Sequence, residues 1–341
     1  MNNHKVAVLG AGAWGTSLSI ALNRAGSNVF LLPKFISERD ALIKNKKSAA
    51  LDLQIPNEIE FGPSFETLKE GTQAFDDMFT TLSSVEAVFW AVPVANTLET
   101  AHILKPIIIP SVPVVICSKG FVWDEEDQCG VLLSDAIQRV LPNPTGVLSG
   151  PNFAREVAVG MHSASVLSSF DITLCKTVAP MIVSPTFKIY ASRDTVGVQV
   201  SGALKNVLAI ACGMVSGLGL GQNTKAIIFE QGFAEIVAFV QKCGGVVGTL
   251  LGVSGIGDVA MTCFSEQSRN TTFGARVARK ESVGKLLKEM RVEGADTARA
   301  AYAMARRFDL QTPVLDMVYN VVYCEAAPEP SVLSVLNDSF V

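Results

Sequence analysis

No stretch limits the possible folds of this chain more than Val6-Ala-Val-Leu-Gly10-Ala-Gly12-Ala-Trp-Gly15, which runs into a helical pattern from Thr16 to Ala25. An apolar run that stops on glycine, two further glycines at the spacing Gly-x-Gly-x-x-Gly, and then a helix give the order strand, turn, helix that a dinucleotide-binding unit requires. Gly10 makes the tight turn, Gly12 lets the backbone approach a pyrophosphate, and Gly15 lets the helix pack closely on the strand. A second strand, Asn28 to Leu32, follows Gly26. At the end of that strand a carboxylate would hold ribose hydroxyls, whereas a base would suit an additional phosphate. Pro33-Lys34 stands there, with no carboxylate before Glu38. This favours the phosphorylated nicotinamide cofactor and leaves open that Lys34 is a solvated loop charge.

Further along, Glu86 to Pro93, a helix from Thr97 to Leu104 and the buried-looking run Val112 to Ser118 continue the alternation, which predicts a parallel sheet. Ligands collect beyond the carboxyl ends of such strands, where Val92-Pro93, Ser118-Lys119 and Leu148-Ser-Gly150-Pro151 fall. Ser149 to Glu156 reads either as a helix start with amides free to face an anion or carbonyl oxygen, or as a simple turn. Lys44 to Thr81 is polar and reads as an elaborated loop, with one short strand inside Ile55 to Phe61. After the strands at Ser165–Leu167 and Lys188–Tyr190, helix-compatible spacing continues to the end: Val196–Gly213, Thr224–Lys242, Thr272–Arg279, Val283–Met290, Ala295–Phe308 and Pro313–Tyr323. Two domains follow, 1–193 and 194–341, in keeping with a chain of 341 residues.

Composition narrows the functions. A net charge of −4 gives no electrostatic reason for a nucleic-acid partner. The seven cysteines contain no Cys-x-x-Cys pair and read as reduced thiols of a cytoplasm-like compartment. A strand begins almost at the N-terminus, so no secretory leader is expected, and the uncharged run Asn206 to Thr224 reads as a packed helix and its exit loop, not as a membrane span. None of the three histidines lies in a motif, and no His/Cys/Asp cluster has metal-ligand spacing, so neither a histidine-driven nor a zinc-assisted mechanism is expected.

Within the helical half, Ser201-Gly-Ala-Leu-Lys-Asn-Val-Leu-Ala-Ile-Ala-Cys-Gly213 is apolar on nearly every side of the helical wheel, except at Lys205. That lysine is flanked at helical spacing by Val198, Ser201, Gly202, Leu208, Ala209 and Cys212, a mostly small face with room for something beside the amine. Either a ligand or carboxylate meets the amine, or it snorkels to the helix end. Desolvation would make such an amine a proton donor and acceptor near neutral pH. A second polar island, Gly255-Ile-Gly-Asp258 with Ser268-Arg269-Asn270, offers a carboxylate that either caps a helix or pairs with Lys205. It also offers a hydroxyl, amides and a guanidinium at a helix start, which is either a phosphate cradle or a surface salt bridge at Arg269.

Taken together, Gly-Ala-Gly-Ala-Trp-Gly at 10–15, Ser-Lys-Gly at 118–120, Ser-Gly-Pro-x-Phe-Ala-x-Glu at 149–156, Gly-Ala-Leu-Lys-Asn-Val-x-Ala-Ile-Ala at 202–211, Gly-x-Gly-Asp at 255–258, Thr-Cys-x-Ser-x-x-Ser-Arg-Asn at 262–270 and Val-Glu-Gly at 292–294 resemble the NAD(P)-dependent glycerol-3-phosphate dehydrogenases. The resemblance implies an α/β N-terminal Rossmann-like parallel-sheet domain and an all-α C-terminal domain of the 6-phosphogluconate-dehydrogenase-like type. It also implies a cytoplasmic homodimer using NAD(P)H and interconverting dihydroxyacetone phosphate and sn-glycerol 3-phosphate for phospholipid synthesis. By matching position, Lys205 is implied to be the proton donor and acceptor. Lys119, Gly150, Asn152, Asp258, Ser268, Arg269 and Asn270 are implied to line the substrate. Gly10, Gly12, Ala13, Trp14, Gly15, Lys34, Lys119, Ala154, Arg269, Val292 and Glu293 are implied to meet the cofactor.

The chain departs from the family's pattern in two places. Leu32-Pro33-Lys34 keeps one base where the family often has an aromatic and a basic pair, and Glu230-Gln231-Gly232 stands where Thr-Arg-Gly is usual. Two other readings compete: a different two-domain hydroxyacid dehydrogenase, which would lack the cradle at 268–270, and a non-catalytic cofactor-binding protein, which would have lost Lys205 or Asp258.

Overall fold

A computed structural model of the protein describes residues 3–66 and 68–337; the domain ends 1–2 and 338–341, and Thr67 within the polar segment, lie outside the described residues. The chain forms two compact units, one of residues 1–118 and 133–195, the other of 119–132 and 196–341.

The first unit is built on an eight-stranded sheet whose strands lie in the order Phe187–Ser192, Ser163–Ser168, Thr145–Ser149, Val114–Ile116, Ala87–Trp90, Lys5–Leu9, Asn28–Leu32, Glu60–Phe61. Lys5–Leu9 is paired in parallel on both sides, with Val6 opposite Val29 and opposite Ala87. Val6, Ala7, Val8 and Leu9 are fully buried, as expected of a strand covered on both faces in a parallel sheet. The sheet is not parallel throughout. Ser163–Ser168 runs antiparallel to Thr145–Ser149, and Phe187–Ser192 then follows Ser163–Ser168 in parallel. The connection after Ser149 carries a helix of only five residues, Ala154–Ala158, and turns the chain back without the longer crossover a parallel neighbour needs.

The polar segment 44–81 holds more order than its composition promises. It contains the small hairpin Lys47–Ser48 with Leu53–Gln54, the edge strand Glu60–Phe61 and the helix Gln73–Ser83, which Thr72 caps by accepting from the Phe75 amide. Arg155 ties this segment down by donating to the Leu51 carbonyl at 2.8 Å.

The second unit is organised around the helix Thr195–Leu218, in which every residue from 197 to 215 is buried. Among the described residues it is the one helix long and apolar enough to cross a membrane, and its apolar window is wholly buried inside the protein. The helix Arg269–Ala278 crosses it backbone to backbone: a Cβ on Gly213 would come within 2.1 Å of the Thr271 carbonyl oxygen, and one on Gly274 within 2.0 Å of that of Ile210. Helices Gly221–Lys242, Glu293–Arg307 and Pro313–Tyr323 complete the core. The buried carboxyl group of Glu235 accepts from the Val314 and Leu315 amides at 2.6 and 3.0 Å, and so caps the last of these helices from outside it.

The helical character expected after residue 193 is seen here, and a short segment from earlier in the chain joins it. The hairpin Phe121–Asp124 with Cys129–Leu132 belongs to it. Phe121, Cys129 and Leu132 are part of its apolar core, and the backbone at Gly130 lies so close to the helix Glu293–Arg307 that a Cβ would meet Ala300 and Met304 within 2.9 Å. The Arg299 guanidinium sits 4.2 Å from the centre of the Trp123 ring, where the ring's quadrupole attracts it. The hairpin packs on helices far along the chain, and its sequence carries no sign of that pairing.

Candidate active site

In the sheet unit, the turn after Lys5–Leu9 has the geometry its glycines foretell. Gly10 has φ +96°, a left-handed value that side chains resist, and a Cβ there would lie 2.9 Å from the Ala91 carbonyl oxygen. A Cβ on Gly15 would fall 1.8 Å from the Gly10 carbonyl oxygen, so the helix Ala13–Arg24 can sit against the turn only because residue 15 has none. At Gly12 an added Cβ meets nothing within 4 Å. No side chain caps this helix and no carboxylate stands in its first turn, so open space and uncapped amides coincide where a pyrophosphate is expected. The residues present therefore fit a dinucleotide.

Around the turn, Trp14 donates from its indole nitrogen to the Cys117 carbonyl at 3.1 Å, and the Ser17 hydroxyl donates to the Ala154 carbonyl at 2.7 Å. These bonds bring Ala13, Trp14 and Ala154 together beside the glycines. Gly150 and Asn152 follow the strand Thr145–Ser149. Asn152 accepts from the Ser165 hydroxyl at 2.7 Å and donates to the Ala164 carbonyl at 3.2 Å, while a Cβ on Gly150 would lie 2.5 Å from that same carbonyl oxygen. Lys34 is not a loose loop charge, because its ammonium pairs with Glu99 at 2.9 Å.

In the helical unit the question left open at Lys205 has an answer. The residue is 7% exposed, and its ammonium donates to Asp258 Oδ1 at 2.5 Å and to the Thr262 hydroxyl at 3.0 Å. It does not snorkel. Asp258, with no exposed surface, receives Lys119 on its other oxygen at 2.6 Å. Asp258 opens the helix Asp258–Phe264, but its carboxylate caps nothing; both oxygens are taken by ammonium groups. Thr262, one turn further on, accepts from Lys205 and donates to the Asp258 carbonyl at 2.7 Å. Sequence reasoning gave Thr262 no role, although its spacing of four from Asp258 on a helix puts both on one face.

Two ammonium groups meet one carboxylate in a largely buried place, a concentration of cations that suits an anion or a developing negative charge. Burial, first of all, pulls the Lys119 ammonium down to about 8, with Asp258 opposing and Lys205 adding to the fall. The neighbouring Cys263 is no competing nucleophile, because burial, then Cys212 beside it, holds its thiol well above the ordinary range.

A second group adjoins the first. Asn270 donates to Asn206, the residue after Lys205, at 3.0 Å, and accepts from the Gly294 amide at 2.9 Å. Ser268 caps the helix Arg269–Ala278 by accepting from the Thr271 amide, and the Thr271 hydroxyl donates to the Thr262 carbonyl at 2.9 Å. Arg269 bridges to Glu293 at 3.1 Å across an exposed face, with Val292 buried as the N-cap residue of the helix that Glu293 begins. Lys119, Lys205, Asp258, Ser268, Arg269, Asn270, Val292 and Glu293 thus all belong to the helical unit, and Gly10, Gly12, Ala13, Trp14, Gly15, Lys34, Gly150, Asn152 and Ala154 to the sheet unit.

Comparisons with known proteins point to one family. The family model described as NAD-dependent glycerol-3-phosphate dehydrogenase N-terminus matches residues 5–175, and its C-terminal counterpart matches residues 194–332. A Rhodospirillum rubrum protein named glycerol-3-phosphate dehydrogenase (NAD(P)+) is 36% identical over 320 residues, 93% of this chain and 87% of its own. One of the same name from Desulfitobacterium hafniense is 32% identical over 335 residues, 97% of this chain and 91% of its own. Among solved structures, glycerol-3-phosphate dehydrogenase from Coxiella burnetii superposes with a TM-score of 0.89 at 26% identity, covering 98% of this chain and 99% of its own.

Proposed function

The chain belongs to the NAD-dependent glycerol-3-phosphate dehydrogenase family, and from that premise we propose that it interconverts dihydroxyacetone phosphate and sn-glycerol 3-phosphate, with Lys205 carrying the proton. The observation that supports this most is the buried triad Lys119–Asp258–Lys205. NAD(P)H, when bound, supplies the hydride in one direction, and its oxidised form takes the hydride in the other. Reduction of the ketone leaves charge on the oxygen, and Lys205 donates a proton to that alkoxide; in the reverse direction its free amine takes the proton from the alcohol. Asp258 and Thr262 hold the Lys205 nitrogen in one place, so little reorganisation is needed at the moment of transfer. Lys119 stabilises the developing negative charge as a second cation. Arg269 and the amides at the start of its helix take the substrate phosphate, with Asn270 and Ser268 shaping that end. Glu293 holds Arg269 until the phosphate arrives.

In the cell the expected direction is reduction, supplying glycerol phosphate for phospholipid synthesis, by a cytoplasmic homodimer. All seven cysteines are free thiols, which agrees with a reducing compartment.

The test is oxidation of NADH and of NADPH in the presence of dihydroxyacetone phosphate, run beside Lys205→Ala. The wild type should turn over. The variant should lose about 10²–10⁴-fold or more in rate, the share that general acid catalysis carries, while binding cofactor as before. A variant that turns over normally would remove the proposed proton carrier.

A further inference from the structure

The strand Asn28–Leu32 ends on Pro33-Lys34, the corner where a nicotinamide cofactor presents either a free ribose hydroxyl or a phosphate. Judged by residue type, a lone base with no carboxylate beside it favours the phosphate. The fold reverses that inference, because the helix Thr97–Leu104, from beyond another strand of the same sheet, delivers Glu99 to Lys34 at 2.9 Å. The Lys34 side chain is mostly covered and its ammonium lies 5.8 Å from the centre of the Phe35 ring, whereas the Glu99 side chain is 60% exposed. The other base near this corner, Arg39, donates to the Gly62 carbonyl at 2.9 Å and has Asp40 beside it. The corner therefore presents a neutralised lysine and an open carboxylate.

We propose that Glu99 is a specificity-determining residue: by pairing with Lys34 it cancels the positive charge that ends the second strand and turns the enzyme toward NADH and away from NADPH. The proposal rests on the cofactor site read above. A phosphate at that position would have to lie beside a solvent-facing carboxylate, and a like-charge neighbour costs as much as an opposite one gains. A ribose hydroxyl meets no such penalty, since a carboxylate accepts its proton. Glu99 acts through Lys34 as a positioning and neutralising group and takes no part in hydride or proton transfer.

Calorimetric titration of the full chain with 5′-AMP and with adenosine 2′,5′-bisphosphate tests this without turnover. The wild type should bind the bisphosphate no more tightly than 5′-AMP. Glu99→Gln should tighten the bisphosphate about fivefold, the size an exposed charge pair carries, and leave 5′-AMP within about twofold. Lys34→Ala added to Glu99→Gln should cancel the gain, and raising the salt should shrink it. If Glu99→Gln leaves the ratio of the two affinities where it was while 5′-AMP binds, Glu99 has no such role and the cofactor site stands. If 5′-AMP does not bind the wild type at all, both are overturned.

Discussion

The two places where chemistry is concentrated are made in opposite ways. The turn at residues 10–15 works through what is missing: Gly10 and Gly15 interlock because neither has a side chain, and Gly12 leaves space. The cluster at Lys119, Asp258 and Lys205 works through what is present, three charged side chains drawn from three distant stretches of chain, two of them buried and the third mostly covered. The first site can be filled only by backbone and ligand, and its tolerance is steric. In the second, each charge is held in place by the others, so its tolerance is electrostatic. Close approach of a dinucleotide's pyrophosphate calls for the former, and movement of a proton calls for the latter.

Substitutions should separate the two kinds of construction. The largest effect is expected at Asp258→Asn, which keeps the shape and removes the charge that two ammonium groups share. Chemical unfolding should show a loss of about 3–5 kcal/mol, together with loss of turnover. Wild-type stability in that variant would mean the lysines have another counter-charge. Next comes Gly15→Ala, whose added Cβ would overlap the Gly10 carbonyl at 1.8 Å; a cost of about 1–3 kcal/mol is expected, the range for overpacking.

A pH-dependent effect is expected from the helical unit. Burial, opposed by the two amide bonds from Val314 and Leu315, pushes the Glu235 carboxyl up to about 8 from its ordinary 4.5. The folded protein then holds a proton that the unfolded chain has released, so stability should fall as pH rises between those two values. Glu235→Gln, which cannot ionise, should show a flatter melting-temperature profile over the same range; an identical profile would locate the dependence elsewhere. Smallest of all in stability is Gly12→Ala. With nothing near the added methyl, it should unfold within about 0.5 kcal/mol of wild type, yet bind 5′-AMP more weakly. Equal affinity would mean that the space above Gly12 is not where the phosphates lie.

How much of this could be read from the sequence follows from the range of the interactions. The glycine turn and the strand Asn28–Leu32 were legible because their cause is local: a positive φ, a missing Cβ, an apolar run. So was the helix that carries Lys205, since residues with no wet face show up on a helical wheel. The partner of that lysine stayed open between two readings, because Asp258 lies more than fifty positions on and is brought in by packing. Lys34 stayed open between a cofactor contact and a solvated loop charge, because Glu99 reaches it only through the fold. The hairpin at 121–132 went unseen for the same reason, as its pattern alternates too briefly to stand out. The helix Ile172–Ile182, interrupted in sequence by Pro180, was missed because a proline argues locally against the helix that tertiary contacts nevertheless maintain.

That hairpin also bears on how the protein can be made. It is synthesised in the middle of the sheet unit's own sequence, more than sixty residues before the helices that receive it emerge. The first cation of the triad, Lys119, travels on the same segment. A fragment beginning at residue 194, where the C-terminal family model starts, would carry Lys205 and Asp258 but leave unfilled the places of Phe121, Cys129 and Leu132. On the ribosome, this early ribbon leaves its apolar face without its hosts until the later helices are made.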